Sequence, residues 1–96
     1  MARLDRLIHQ PTRLRIMAAL VSLEADERAD FVFLRELLEL TDGNLSVHLQ
    51  RLEEAGYVAI EKAFEERRPK TWVGVTKAGR EAFQAHVDAL ERIIHQ

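Results

Sequence analysis

Between Gly43 and Ala55 the chain gathers side chains able to read hydrogen-bonding surfaces: Asn44, Ser46, Gln50 and Arg51, with Val47 among them and Gly43 ahead of them. The amides of Asn44 and Gln50 suit an adenine edge, Arg51 a guanine or a phosphate, and Val47 a thymine methyl. Ser46 can donate to a phosphate or a base, and Gly43 has no side chain to obstruct a close approach. Leu45, Leu49 and Leu52 recur at i, i+4 and i+7, so a helix here would bury its leucines and turn the polar residues outward. The free N–H groups and positive dipole end at the start of such a helix also suit a phosphate.

A cationic cluster follows. Arg67, Arg68 and Lys70 surround Pro69 in the stretch Glu65 to Lys70, which reads as a turn between two strands. Three cations at a hairpin tip can reach a minor groove or the backbone beside it, and Pro69 would stiffen the tip. Glu65 and Glu66 dilute the cluster, and a solvated turn is the plain alternative. Arg3, Arg6, Arg13 and Arg15 are further candidates for phosphate contact.

Other candidates weigh less. His48 sits beside the leucine stripe and suits a half-buried core position as well as a base contact. His86, Asp88, Glu91 and His95 share the last helical segment, and the i, i+4 spacing of Glu91 and His95 puts them on one face. Exposed polar residues on an amphipathic helix explain that pattern without a metal, and none is expected. The chain has no cysteine, which excludes disulfides, thiolate metal sites and a cysteine nucleophile. No serine–histidine–acid order or phosphate-binding glycine loop occurs, and no convincing carboxylate pair, so neither catalysis nor a cofactor is expected. No effector pocket is legible in the pattern.

These residues need elements to hold them. The region 1–24 reads as helical, interrupted near Gln10 by Pro11, with a helix from about Pro11 to Leu23 whose apolar residues wrap most of its surface. Phe31-Val32-Phe33 reads as a short strand, and about Leu34 to Leu40 as a helix with Leu34, Leu37 and Leu38 on one face. Thr41-Asp42-Gly43-Asn44 is a turn that caps the next helix, about Gly43 to Ala55, and Gly56 ends it. Tyr57 to Phe64 and Thr71 to Thr76 read as two strands. Thr76 caps a last helix from about Lys77 to Ile94.

That order is the layout of a winged helix. The segments LTDGNLSVHLQRLEEAGYV (Leu40 to Val58), RRPKT (Arg67 to Thr71), VTKAGREAF (Val75 to Phe83) and HQPTRLRIMAAL (His9 to Leu20) resemble the winged-helix transcriptional regulators related to the ArsR and MarR groups. The resemblance covers nearly the whole chain, and more narrowly it is to compact, stand-alone winged-helix DNA-binding domains. It implies a mainly α fold with a small β-hairpin: a three-helix core, a two-stranded wing and a C-terminal dimerisation helix. One domain, 1–96, would then divide into the helical region 1–24, a helix-turn-helix at 34–56, the wing at 57–76 and the last helix at 77–95. The resemblance further implies a homodimer on double-stranded DNA, with bases read by Gly43 to Arg51 and the wing at Glu66 to Lys70. It implies a repressor or activator, and a repressor on a pseudo-palindromic operator is expected. The missing cysteines depart from the metal-sensing ArsR pattern.

The apolar stripe Phe83, Val87, Leu90 and Ile94, together with Leu4, Leu7 and Ile8, is the expected dimer interface, because so short a chain has little domain left to cover it. The opening residues lack the apolar run of a signal peptide, and no stretch approaches roughly 18 consecutive apolar residues; both predict a cytoplasmic protein. The formal net charge of -2 argues mildly against nucleic acid, since phosphate affinity comes from Lys and Arg. It keeps open the alternative of a winged helix that binds another protein instead. A local basic face can nevertheless coexist with an acidic back.

Overall fold

The computed structural model describes residues 4–95. Its elements run α1 (Arg6–His9), α2 (Pro11–Val21), β1 (Ala29–Asp30), α3 (Phe31–Leu38), α4 (Asp42–Glu54), β2 (Val58–Glu65), β3 (Arg68–Val75) and α5 (Lys77–Ile94). The strands form one antiparallel sheet in the order β1-β3-β2.

Local chemistry sets the helix starts. Asp5 accepts hydrogen bonds from the Leu7 and Ile8 amides at the head of α1. Gln10 interrupts the helical run with an extended backbone, and its side chain caps α2 at the Arg13 amide with Pro11 behind it. Thr41 caps α4 at the Asn44 amide, and Thr76 caps α5 at the Gly79 amide. Gly56, at φ 81°, turns the chain out of α4 into β2.

The leucine stripe of α4 is fully buried, with Leu45 at 0%, Leu49 at 1% and Leu52 at 0% exposure. It meets Ile16, Met17 and Leu20 of α2, Leu34 and Leu38 of α3, and Val58 and Val73 of the sheet.

Four expectations change. Phe31-Val32-Phe33 is not a strand but the first turn of α3. The strand is the preceding pair Ala29–Asp30, opposite Val73 and Trp72, and the Asp30 carboxylate receives the Val32 amide and starts the helix at once. The sheet therefore has three strands, not the two of a simple wing. Next, α2 buries one face rather than most of its surface: Ala18 is exposed, and Leu14 and Val21 are only partly covered. Leu37 does not join Leu34 and Leu38 in the core but stands 54% exposed on α3. Finally, the turn is shorter than the stretch Glu65 to Lys70. Only Glu66 and Arg67 form it, both left-handed at φ 51° and 65°, the backbone that lets a two-residue hairpin match the twist of its strands. Arg68, Pro69 and Lys70 lie within β3.

Candidate nucleic-acid interface

The thirteen-residue α4 stands with its inner face in the core and its outer face free. Gly43, Asn44, Ser46, Val47, Gln50 and Arg51 are all exposed. Acidic side chains would repel a phosphate backbone, so their placement matters. Asp42 lies in the first turn, and its carboxylate accepts from the Arg35 guanidinium of α3 at 2.6 Å. That ion pair holds Arg35 above its ordinary pKa, through the hydrogen bond and the Coulomb attraction of Asp42. Glu53 and Glu54 come after Arg51, at the other end of the helix.

The structure sorts the outward residues into two flanks. Ser46 and Gln50 line a groove of about 370 Å³ between α4 and the sheet, floored by Phe31, Leu49 and Ile60, with Lys62 and Thr71 on its far wall and Glu53 at one end. Asn44, Val47 and Arg51, spaced i, i+3 and i+7, occupy the other flank. Lys62 and Thr71 were not singled out from the sequence. The signal was faint: Lys62 follows Val58 and Ile60 at strand period, so it takes the same face of the sheet as those inward residues.

The wing cations do not act as one tip. Arg67 sits in the turn and Arg68 opposite Glu65 at the strand end. Lys70 folds onto the outer face of the sheet, its Nζ 5.0 Å from the centroid of the Trp72 ring and 3.8 Å from the Asp30 carboxylate. Arg28 covers the same indole at 5.7 Å and pairs with Glu61. Pro69 pairs with Phe64 inside the hairpin instead of stiffening a loop.

The N-terminal arginines divide. Arg3 lies outside the described residues, and Arg6 is exposed. Arg13 turns inward, donating from Nε to the Leu7 carbonyl at 2.6 Å and from the guanidinium to His48 Nδ1 at 3.1 Å. Arg15 donates to the Leu38 carbonyl at the end of α3. His48 is half-buried. Burial first, then the positive charges of Arg13 and Arg51, push its pKa below the usual imidazole value, so it is a neutral acceptor at pH 7.

Of the expected interface residues, Ile8 is withdrawn: it is 0% exposed within the chain's own core and has no surface to offer a partner. Leu7 and Phe83 are half-buried against that core. Leu4, Val87 and Leu90 remain partly exposed, and Ile94 is 73% exposed near the end of α5. His86 does not join Asp88, Glu91 and His95. It is 1% exposed and faces α1, where its Nδ1 accepts the Asp5 amide at 3.1 Å. Its Nε2 lies 3.4 Å from His9 Nδ1. The Asp5 carboxylate in turn accepts the Tyr57 hydroxyl at 2.7 Å, which pushes the Tyr57 pKa up to about 12. Among the described residues no three His, Asp or Glu side chains converge on a metal position, and no helix is long and apolar enough to cross a membrane.

A family model described as a winged helix DNA-binding domain matches residues 12–94. An uncharacterized protein of Methanocaldococcus jannaschii is 40% identical over 82 residues, covering 85% of this chain and 86% of its own length. The structure of a transcriptional regulator homologue from Pyrococcus horikoshii superposes with a TM-score of 0.86 at 32% identity, over 95% of this chain and 87% of the other. A MepR variant from S. aureus, solved bound to an oligodeoxyribonucleotide, shares the fold with a TM-score of 0.72 at 16% identity, over 95% of this chain and 67% of the other.

Proposed function

Since this chain belongs to the winged helix DNA-binding domain family, we propose that it binds duplex DNA sequence-specifically as a homodimer and represses transcription from a pseudo-palindromic operator. The observation that carries the reading is the outer face of α4. From Gly43 to Arg51 it is exposed, polar but for Val47 and free of acidic side chains, and the one acid ahead of it is neutralised by Arg35. A helix of this width fits the major groove, with its N-terminal half nearest the base edges. The fold is shared with a protein solved on an oligodeoxyribonucleotide, which supports the same mode of use here.

In this mechanism Asn44, Gln50 and Arg51 read base edges, and Ser46, Lys62 and Thr71 hold the phosphate strand that passes between α4 and the sheet. Arg67 and Arg68 meet the backbone further along. Phosphate contacts give affinity and register; the base contacts give preference. The exposed apolar end of α5 pairs two copies, which places two α4 helices about one helical turn, roughly 34 Å, apart on one side of the duplex.

The test is selection from random duplexes at about 100 mM salt. An inverted repeat with half-sites spaced by one turn or a multiple of it is the expected product. A second reading, docking to another protein, is favoured by the net charge of -2 and by Val32, Phe33 and Leu37, which stand 44%, 54% and 54% exposed on α3. It forecasts no enriched sequence and no salt-sensitive binding to any duplex, an outcome that would overturn the DNA reading.

A further inference from the structure

Phe64 is the most exposed aromatic residue of the core-facing side of the sheet, at 72%, and nothing among the described residues covers it. Its place follows from strand register. Val58, Ile60, Lys62 and Phe64 take one face of β2, and their partners Val75, Val73, Thr71 and Pro69 take the same face of β3. Near the body this face is core. Midway it becomes the wall of the groove against Ser46 and Gln50, through Lys62 and Thr71. At the tip it ends in Phe64 against Pro69, two residues or about 7 Å beyond Lys62. The apolar tip thus continues the surface that α4 presents.

Charge agrees with an anionic occupant on that side. Glu61 and Glu65 alternate onto the opposite face, where Arg28 pairs with Glu61 and the Trp72 indole N–H holds Glu65 at 2.8 Å. The tip face keeps Lys62, with Arg67 and Glu66 in the turn beside it, while Arg68, opposite Glu65, takes the other face. The two-residue turn makes the tip stiff, so little order is lost on insertion.

We propose that Phe64, backed by Pro69, is a minor-groove wedge: the ring enters the minor groove beside the half-site read by α4, loosens a base step there and bends the duplex. The inference rests on the DNA reading above and deepens it. An apolar wedge of this kind kinks DNA towards the major groove, and flexible pyrimidine–purine steps yield most easily. The wing would therefore add preference through deformability, at a position where no polar side chain touches a base.

The experiment compares wild type, Phe64→Ala and Phe64→Leu on the duplex recovered by selection, over 50 to 200 mM NaCl. For Phe64→Ala we expect at least about a 10-fold loss of affinity at every salt concentration with the salt slope unchanged, because no counterion is released by an apolar contact. Phe64→Leu recovers part of the loss. Bending measured by end-to-end energy transfer falls in the alanine variant, and the minor-groove ligand netropsin competes with wild type more strongly than with it. Affinity within two-fold of wild type together with unchanged bending overturns the wedge while leaving the DNA reading intact. Loss of self-association in Phe64→Ala by sedimentation assigns the face to a second copy and also overturns it. A wild-type protein that binds no duplex fails the DNA reading itself, and the wedge with it.

Discussion

At the scale of single residues, hydrogen-bond geometry separates groups that face solvent from groups that hold the fold. Asn44 and Gln50 lie exposed on opposite flanks of α4. Replacing either with alanine is expected to cost about 1–3 kcal/mol on the preferred duplex and much less on a random one. Titrations of both duplexes check this, and equal losses would remove that residue from base reading. His86 is of the other kind. Because its Nδ1 accepts the Asp5 amide, its proton sits on Nε2 and points to His9. A second proton on Nδ1 would break the tie to α1. Burial, then the nearby His9, lowers its pKa, against a smaller opposing effect of Asp5. The folded chain then binds fewer protons than the unfolded one, whose histidine titrates near 6.5. Stability is full above that value and is lost as pH falls from it towards the lower folded pKa. His48 adds to the loss in the same direction. Thermal midpoints between pH 7.5 and 5 should fall, and fall less in His86→Asn; equal falls would assign the effect elsewhere.

At the scale of elements, the sheet and the last helix meet where no side chain fits. Gly79, in the first turn of α5, packs on the Tyr57 carbonyl so closely that a Cβ would lie 2.1 Å from its oxygen. That carbonyl also receives the Thr76 amide, and Thr76 donates to the Gly56 carbonyl, so the helix start and the strand start form one joint. Gly79→Ala is expected to cost about 1–3 kcal/mol, since backbone rather than a flexible side chain must yield. Denaturant unfolding measures it, and a stabilised variant would show that α5 slides freely. Arginines fasten the other joints. Arg80 donates to the Val21, Leu23 and Glu24 carbonyls at the exit of α2, and Arg15 to Leu38 at the exit of α3. At the end of α2 the Ser22 hydroxyl takes only the Ala19 carbonyl, and at both ends distant guanidinium groups satisfy further free carbonyls. The elements themselves were largely legible, because Thr41, Gly56 and Thr76 act within three residues of where they stand. The start of α3 was misread, since Phe31-Val32-Phe33 has the composition of a strand and the deciding contact comes from Asp30.

At the scale of the whole molecule, the chain spans 53 × 25 × 21 Å, an elongated body for its size. Ile93 and Ile94 stand 53% and 73% exposed at the end of α5, with Leu90 partly covered behind them. In the homodimer proposed above a second copy covers this face. Leu90→Asp is therefore expected to yield monomers by sedimentation velocity and to weaken binding to an inverted repeat far more than binding to a single half-site. A variant that stays dimeric would place the interface elsewhere.

The sequence by itself determined the order of elements, the buried leucine stripe of α4 and the polar residues opposite it, because helical period and capping are short-range effects. Only the tertiary structure decided that Ile8 belongs to the core, that Arg13 is turned inward and Arg15 tied to the end of α3, that His86 meets Asp5 across 81 positions, and that Phe64 rather than Lys70 shares the side of α4. The reason is physical. A shift of one residue in strand register exchanges the faces of a hairpin, and a guanidinium finds its carbonyl by proximity in space; neither leaves a mark on neighbouring positions of the chain.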